Sequence, residues 1–437
     1  MTLVNDTDYM NENHYWIEKL KEYAVRGTGL PILDQQTFER FTKELGKEKF
    51  RIILADYIYK FRPRFPLKKI TLDDVRISFN ELRKQDITKY CKLNDNNVME
   101  KYTDYKYPYK DYGLGIIDAP STYNNVSNYF HQELRLQCSS YSFKAPLDVW
   151  YRGTAKEIWR CLGPIWRGIN DMKKVMVEGE EELRGGQLSE ASYMSAFRLG
   201  TYIATQFKPN VAKTIYQLTN AKRVLDTSCG WGDRLAGFFA SDAEEYIGCD
   251  PNPNTYKQYM NQIEMYNSFL TKPKKVKIYN CGAEDLPWDE IKDIDCSFTS
   301  PPYFATEEYN KGKEKEELQS WFKFNEYHKW RDDFFLPVSK KCFERSKYTI
   351  INIMDPTVKG KRYRSCDELV DMLKDNFVGQ IGMRIMQRPK SDKLFETEKD
   401  KQEFMKKTFI ENVWCFSKDK NVDLFKSARR GTLDSFF

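Results

Sequence analysis

The sequence predicts an α/β protein with a mostly parallel sheet, preceded by a mainly helical region. From about residue 192 onward, short apolar runs alternate with amphipathic stretches, which is the pattern of strands joined by helical crossovers. Before that point, residues 13–25 and 36–60 place apolar side chains at helical spacing. The 437 residues are enough for more than one domain with a core of its own.

The composition narrows the class of protein further. The chain is 41% hydrophobic, which indicates a folded protein, and it lacks the run of ~20 apolar residues that a membrane helix needs. Its ten cysteines form no Cys-x-x-Cys pair and it has three histidines, so we expect no metal site. The polar start of the chain is unlike a secretory signal. We therefore expect an intracellular protein, in the cytoplasm, nucleoid or nucleus, that has no membrane partner.

A net charge of +6 permits a polyanionic partner. Two segments, residues 60–69 and 101–115, mix basic with aromatic side chains, a combination that suits phosphates and stacked bases. The alternative is that both are solvated loops whose tyrosines pack on the core. We predict a loop for the second segment, because it contains Pro108 and two glycines. The candidate nucleic-acid contacts are Arg62, Arg64, Lys68 and Lys106, with Lys311 and Lys313 from a later loop.

The acidic, glycine-bearing run at residues 178–186 is typical of a surface loop and suggests a domain boundary. We therefore predict an N-terminal accessory or nucleic-acid recognition region over residues 1–190. A catalytic domain would follow over residues 191–418, and a flexible tail over 419–437.

The first predicted strand, residues 224–226, runs into a loop with glycines at 230 and 232 and then into a helix over 235–240. Glycines at such a turn let the backbone approach a ligand. The three-glycine dinucleotide pattern and the phosphate-loop lysine are both absent, so we expect neither a pyrophosphate nor a triphosphate ligand.

A second strand ends at Asp250, which lies 24 residues after Asp226. That spacing is typical of an acidic residue that binds ribose hydroxyls, and the alternative for Asp250 is a helix cap. The remaining strands and helices are predicted in alternation. The strands are 276–279, 294–300, 348–353, 378–387 and 411–417, and the helices are 255–269, 325–347 and 366–374.

The fourth of these strands must stop at Ser300, because two prolines follow it and proline cannot extend a sheet ladder. The sequence there is Ser300-Pro301-Pro302-Tyr303. Ligands of open parallel sheets bind at the carboxyl ends of the strands, where this turn would lie. A stiff turn that carries carbonyl groups and an aromatic ring suits a flat ring with an amino group.

Residues 200–418 resemble the class I S-adenosylmethionine-dependent methyltransferases, and in particular the amino-methyltransferases of DNA. Three segments carry the resemblance: Ser300–Tyr303, the loop that starts at Asp226, and Gln206-Phe207-Lys208-Pro209 before that loop. The family implies a Rossmann-like, mostly parallel sheet of seven strands with S-adenosylmethionine as cofactor. It implies cofactor contacts from Phe207, Pro209, Asp226, Ser228, Gly230, Gly232, Asp250, Asn252, Ala283 and Glu284. For Phe207 the alternative is ordinary core packing.

The resemblance implies methyl transfer to an exocyclic amine of a DNA base, with cytosine N4 favoured over adenine N6. Ser300 and Pro301 would accept the hydrogens of the amine, and Tyr303 would stack on the ring of a base that is flipped out or single-stranded. Two alternatives stay open. The same fold acts on RNA or on a protein amide, and a chain of this kind can also be a catalytically silent nucleic-acid-binding protein.

Overall fold

The computed structural model describes residues 6–93, 97–139, 143–167, 173–177, 180–184, 186–306, 308–309, 311–312, 315–385 and 395–426. Its contacts divide the chain into two units. One comprises Met1–Lys69, Gln132–Thr205 and Tyr309–Lys311, and the other comprises Ile70–His131, Gln206–Glu308 and Gly312–Phe437. We call them the helical unit and the sheet unit. No helix among the described residues is long and apolar enough to cross a membrane.

The helical unit has a core of aromatic and aliphatic side chains centred on Phe50, Tyr57 and Trp150. Its elements are helices α1 (Asp6–Lys21), α2 (Gln35–Leu45), α3 (Lys47–Phe61), α7 (Pro146–Arg152), α8 (Ala155–Cys161) and α9 (Glu190–Gly200), with the hairpin β4 (Lys173–Val177) and β5 (Glu180–Arg184). The helices confirm the predicted helical character of this region. The hairpin differs from the surface loop that we predicted at 178–186, because residues 180–184 pair as a strand.

The sheet unit is built on one sheet of ten strands. They are β1 (Cys91–Lys92), β2 (Val98–Glu100), β3 (Gly113–Ile117), β6 (Arg223–Asp226), β7 (Glu245–Cys249), β8 (Lys275–Tyr279), β9 (Ile294–Thr299), β10 (Ser346–Asn352), β13 (Phe377–Arg384) and β14 (Thr408–Ser417). A separate two-stranded hairpin joins β11 (Thr357–Val358) to β12 (Lys361–Arg362).

The seven central strands lie in the order β13-β14-β10-β9-β6-β7-β8. The five from β8 to β10 run parallel, and β14 runs antiparallel to both of its neighbours in this order. Counted along the chain, this order is 6-7-5-4-1-2-3, which is the strand order of the class I methyltransferase sheet. The predicted fold class, a mostly parallel Rossmann-like sheet with a mainly helical N-terminal region, is confirmed.

Helices cover both faces of the sheet because successive strand residues point to opposite sides. Val224 belongs to the cluster formed with α10 (Pro209–Leu218), α11 (Asp233–Ala240) and α12 (Pro253–Ser268), while Leu225 belongs to the cluster formed with α15 (Leu336–Arg345) and α16 (Ser365–Met372). The other helices are α4 (Leu72–Lys84), α5 (Tyr109–Tyr112), α6 (Asn125–Gln137), α13 (Ser320–Lys323), α14 (Tyr327–Lys329) and α17 (Glu398–Met405).

The boundaries of the units differ from our predictions in three places. Residues 113–115, the end of the segment for which we predicted a loop, belong to β3, which pairs with β13. Residues 70–131 belong to the sheet unit, so the chain does not divide at 190. Leu424 and Phe425 are buried in the core, so the part of the predicted tail that ends at residue 426 is packed. In each case burial against distant residues decided the outcome, which local sequence does not encode.

Candidate active site

The glycine loop, residues 227–232, follows β6 and turns the chain into α11. Both of its glycines have left-handed backbone conformations, with φ of +58° at Gly230 and +70° at Gly232. A Cβ at Gly232 would lie 2.2 Å from Oε1 of Gln262 and 2.9 Å from Nε2 of His131, whereas a Cβ at Gly230 would meet nothing closer than 3.7 Å. Gly232 is therefore required by the packing beneath the loop, and Gly230 leaves open space above its backbone.

Asp226 ends β6 and holds the glycine loop in place. Its side chain is fully buried, and Oδ2 accepts hydrogen bonds from Arg234 Nε at 2.8 Å and from the Tyr246 hydroxyl at 2.6 Å. Oδ1 accepts a hydrogen bond from the backbone N–H of Ser228 at 3.1 Å. These three hydrogen bonds fix the shape of the glycine loop, and the cofactor contact that the resemblance implied for Asp226 stays a prediction.

Ser228 connects the glycine loop to the end of β9. Its hydroxyl lies 2.6 Å from that of Thr299 and donates to the backbone carbonyl of Ser300 at 2.7 Å. The Thr227 hydroxyl adds a further hydrogen bond to Thr299 at 3.1 Å. The two predicted halves of the site, the cofactor loop and the Ser-Pro-Pro-Tyr turn, are thus bonded to each other directly.

Asp250, just beyond β7, faces the same loop. One carboxylate oxygen accepts hydrogen bonds from the backbone N–H of Gly230 and from the Tyr259 hydroxyl, both at 3.1 Å. The other accepts from the N–H of Asn252 at 2.9 Å and from the Thr255 hydroxyl at 3.1 Å. Desolvation raises the pKa of Asp250, and these hydrogen bonds oppose that shift. Asp250 therefore fixes the position of the glycine loop and lies two residues before Asn252, the N-cap of α12, so the cap alternative does not describe Asp250 itself.

The other residues implied for the cofactor lie on three further segments. Asn252 caps α12 by accepting a hydrogen bond from Asn254 N–H at 3.0 Å. Ala283 is buried, and Glu284 forms an ion pair with Lys323 at 2.8 Å. Strand β8 ends at Tyr279, whose carbonyl accepts a hydrogen bond from the N–H of Asp250. The segment with Ala283 follows β8, so it lies at the same edge of the sheet as Asp250.

Phe207 and Pro209 lie at the start of α10. Pro209 occupies the first turn of the helix, where a missing N–H costs nothing. The half-buried ring of Phe207 packs edge-on against Phe298 at 5.7 Å and lies 5.5 Å from the guanidinium of Arg234. Arg234 also binds Asp226 at the start of the glycine loop, so the ring of Phe207 lies near that loop. The same ring packs in the core against Phe298.

Residues 300–303, which we call the catalytic turn, leave the sheet at the end of β9. The Tyr303 hydroxyl donates to Glu411 Oε1 at 2.6 Å and lies 3.3 Å from the carbonyl oxygen of Asn352. The Asn352 amide donates to the same Glu411 oxygen at 3.2 Å. Desolvation raises the pKa of Glu411, and these two hydrogen bonds oppose the rise. The Tyr303 ring is therefore held at its far end by β10 and β14.

Phe304 closes the catalytic turn with a backbone conformation that is unusual for its residue type. Its φ is +50°, and its buried ring packs against Tyr327, Trp330 and Tyr363 at 5.7–5.9 Å. A non-glycine residue in this region stores about 1–3 kcal/mol of strain, which persists only where packing enforces it. The aromatic cluster around Phe304 thus fixes the direction in which the chain leaves the turn.

Sequence reasoning missed Glu411 and Asn352. The available signal was an acidic residue followed by asparagine inside the otherwise apolar strand 408–417, where an unpaired carboxylate would be costly. For Asn352 the signal was its place at the end of a predicted parallel strand.

The residues predicted to contact nucleic acid are found in different settings. The guanidinium of Arg62 donates to the carbonyls of Trp150 and Gly153, both at 2.6 Å, so it serves the helical unit's own structure. Arg64 and Lys68 are exposed on that unit. Lys106 forms an ion pair with Asp371 at 2.8 Å in the sheet unit. Lys311 is part of the helical unit, and Lys313 lies outside the described residues.

Among the described residues, no group of three or more His, Cys, Asp or Glu side chains is arranged to hold a metal ion.

No protein-family model matches this sequence, and no curated protein matches it. Several solved structures resemble the chain weakly. The N-terminal domain of EvdMO1, crystallised in the presence of SAH and D-fucose, is 10% identical with a TM-score of 0.29, over 60% of this chain and 96% of that one. The methyltransferase domain of bacterial CtHen1-C is 13% identical with a TM-score of 0.30, over 48% and 95% of the two chains.

An rRNA methylase from Streptococcus thermophilus is 11% identical to this chain with a TM-score of 0.30, over 49% of this chain and 100% of that one. All three TM-scores are below 0.5, so the assignment of the fold rests on the strand order of the sheet. That order agrees with the mostly parallel, Rossmann-like sheet that the resemblance to class I methyltransferases implied.

Proposed function

We propose that this protein transfers a methyl group from S-adenosylmethionine to an exocyclic amine of a DNA base, with cytosine N4 favoured over adenine N6. The observation that carries the proposal is the hydrogen bond between Ser228 of the glycine loop and the Ser300 carbonyl of the catalytic turn. It makes one continuous site of a loop suited to the cofactor and a turn suited to a planar amine.

The residues around the glycine loop fit S-adenosylmethionine. The open backbone at Gly230 would admit the cofactor, and the Asp250 carboxylate, which accepts a hydrogen bond from Gly230 N–H, would bind the ribose hydroxyls. Ala283 and Glu284, beyond the next strand, would contact the adenine. When bound, this cofactor supplies an electrophilic methyl group on a positively charged sulfur.

The catalytic turn would orient the amine. Within the described part of the chain, neither the Ser300 hydroxyl nor the Pro301 carbonyl oxygen is hydrogen-bonded, so both remain able to accept the two amine hydrogens. An exocyclic amine is a weak nucleophile because its lone pair is delocalised into the ring. Two fixed acceptors draw the nitrogen toward tetrahedral geometry, and fixed positioning in line with the methyl group supplies much of the remaining rate.

Tyr303 would provide the surface on which the base stacks. Its hydroxyl is anchored by Glu411, so its ring is already oriented before substrate arrives, which reduces the entropy lost on binding. An amine inside a duplex cannot reach a cofactor enclosed by the loop. The base must therefore be flipped out or already single-stranded.

The substrate is tested by incubating the full-length protein with methyl-labelled S-adenosylmethionine and duplex DNA, single-stranded DNA, RNA or protein. Nucleoside mass spectrometry of the product then identifies the base. We expect label in DNA as N4-methylcytosine. Label only in RNA or only in protein would contradict the proposal, and no cofactor binding by calorimetry would favour a silent binding protein.

Ser300→Ala and Tyr303→Phe test the catalytic turn. We expect Ser300→Ala to lower kcat at least 100-fold, because one of the two amine acceptors is lost, with cofactor affinity within threefold of wild type. Tyr303→Phe should lower kcat about tenfold through loss of the Glu411 anchor. The matched control is Tyr348→Phe, which removes a tyrosine hydroxyl near the amino end of β10, away from the catalytic turn. Equal activity of Tyr303→Phe and the control would contradict the assigned role.

A further inference from the structure

The β11–β12 hairpin leaves the sheet beside the catalytic turn. Strands β9 and β10 are parallel neighbours, and Ile351 pairs with Thr299, so both strands end at the same edge of the sheet. The hairpin begins five residues after Asn352, at Thr357. The position of the hairpin is therefore set by β10, which lies next to β9, the strand that leads into Ser300.

The base of this hairpin is held rigidly. Asp355, which is 2% exposed, forms an ion pair with Arg362 Nε at 2.7 Å and accepts a hydrogen bond from Cys366 N–H at 3.0 Å. The guanidinium of Arg362 lies 3.8 Å from the ring centroid of Tyr102, and the Tyr102 hydroxyl lies 2.7 Å from that of Thr357. Such a network leaves little freedom to the two short strands.

The hairpin also packs against the residue that ends the catalytic turn. The ring of Tyr363 stacks on Tyr327 with centroids 4.2 Å apart and lies 5.7 Å from the ring of Phe304. The strained conformation of Phe304 is enforced partly by this contact. The hairpin and the catalytic turn are therefore fixed relative to each other.

The tip of the hairpin presents two lysines to solvent. Lys359 and Gly360 form its turn with φ of +49° and +80°, and the side chains of Lys359 and Lys361 are exposed. Nearby acids are already paired: Asp355 with Arg362, and Asp104 with both Arg362 and Arg364. Asp367 pairs with Arg364 as well. In the described part of the chain neither lysine has an acidic partner.

We propose that this hairpin binds backbone phosphates of the nucleic-acid strand whose base enters the site. The inference rests on the proposed function and extends it to a surface beyond the base. Exposed, uncompensated lysines contact phosphates without reading sequence, and they fix the position of the strand rather than the identity of the base. Their rigid attachment to the catalytic turn would hold the flanking phosphates in register with the amine.

The test replaces both tip lysines, Lys359→Ala with Lys361→Ala, in the full-length protein. The matched control is Lys272→Ala with Lys275→Ala, which removes the same charge from two exposed positions. These residues lie at the amino end of β8, whereas the hairpin follows the carboxyl end of β10. Fluorescence anisotropy with a labelled single-stranded oligodeoxynucleotide measures affinity between 50 and 200 mM salt, and a single-stranded RNA of the same sequence forms a second arm. Calorimetry with S-adenosylmethionine checks the cofactor site.

We expect the hairpin variant to bind DNA about tenfold more weakly than the control. The slope of the logarithm of the binding constant against the logarithm of the salt concentration should also be smaller in magnitude by about 1.4. Its cofactor affinity should equal that of wild type. Equal DNA affinity in both variants, while wild type methylates DNA, would overturn the inference and leave the proposed function intact.

Two other outcomes separate the inference from the proposed function. Hairpin-dependent binding of DNA or RNA without methylation of either would support the hairpin surface and contradict the proposed reaction. Methylation of protein alone, with no measurable affinity for either nucleic acid, would overturn both.

Discussion

At the scale of single residues, the carboxylate of Glu411 determines how the aromatic ring of the catalytic turn is held. It lies 108 positions from Tyr303 in the chain, yet their side chains are 2.6 Å apart. The neighbouring amide of Asn352 donates to the same oxygen. Tyr303 is thus oriented by residues that do not belong to its motif.

The raised pKa of Glu411 predicts a pH-dependent stability. The folded protein binds this proton more tightly than the unfolded chain, whose glutamate titrates near 4.5, so the charged carboxylate costs stability above the folded-state pKa. We expect Glu411→Gln to unfold about 2 °C higher than wild type at pH 8. The difference should shrink as the pH falls and vanish near pH 4.5.

Thermal unfolding followed by circular dichroism between pH 4.5 and pH 8 measures this effect. Glu264→Gln, an exposed position on α12, removes the same charge and should show no such pH dependence. An unfolding midpoint for Glu411→Gln equal to or below that of wild type at pH 8 would contradict the prediction.

At the scale of elements, the glycine loop depends on two glycines for different reasons. Gly232 has a left-handed conformation and no room for a Cβ, whereas Gly230 has the same conformation with open space beside it. The sequence indicated that both were needed for close approach of a ligand. The structure separates them into one position required for packing and one available to the ligand.

Paired alanine substitutions test this difference. Gly230→Ala should cost about 1–2 kcal/mol of stability, from left-handed strain alone. Gly232→Ala carries the same strain and must also displace the buried side chain of Gln262, so we expect it to cost at least about 1 kcal/mol more. Urea unfolding measures both, and calorimetry reports cofactor affinity, which Gly230→Ala should weaken although its structural cost is smaller.

Equal losses of stability in the two variants would show that the packing around Gly232 relaxes freely. That result would contradict the role assigned to Gly232.

At the scale of the whole molecule, the sheet unit extends well beyond the predicted catalytic domain. β3 pairs with β13, and Val75, Phe79 and Leu82 of α4 belong to the same core cluster as β6 and α11. Residues 70–131 are therefore structural components of the sheet unit. The predicted accessory region 1–190 contains parts of both units.

A truncated chain of residues 191–437 tests this conclusion. It would expose one edge of β13 and remove α4 from the core, so we expect it to aggregate or to unfold without a cooperative transition. A chain of residues 1–426 is the control. It retains Leu424 and Phe425, and should unfold at the same temperature as the full-length protein. Cooperative unfolding of 191–437 together with cofactor binding would contradict the prediction.

Local chemistry was enough to predict much of this protein. The alternation of apolar runs and amphipathic stretches identified all seven central strands, because strands buried on both faces are mostly apolar and the edge strand β8 alternates lysine with apolar residues. Two prolines located the end of the fourth strand, and two glycines located the loop after the first. These signals depend on neighbours in the chain, so the sequence contains them directly.

Only the tertiary structure decided how those parts work together. The bond from Ser228 to Ser300 spans 72 positions, and the Asp226 carboxylate accepts hydrogen bonds from Arg234 and Tyr246. The positions of the added strand β3 and of the β11–β12 hairpin likewise depend on which edge of the sheet each segment reaches. Such contacts join residues distant in the chain, and their energies depend on burial and geometry that no local pattern specifies.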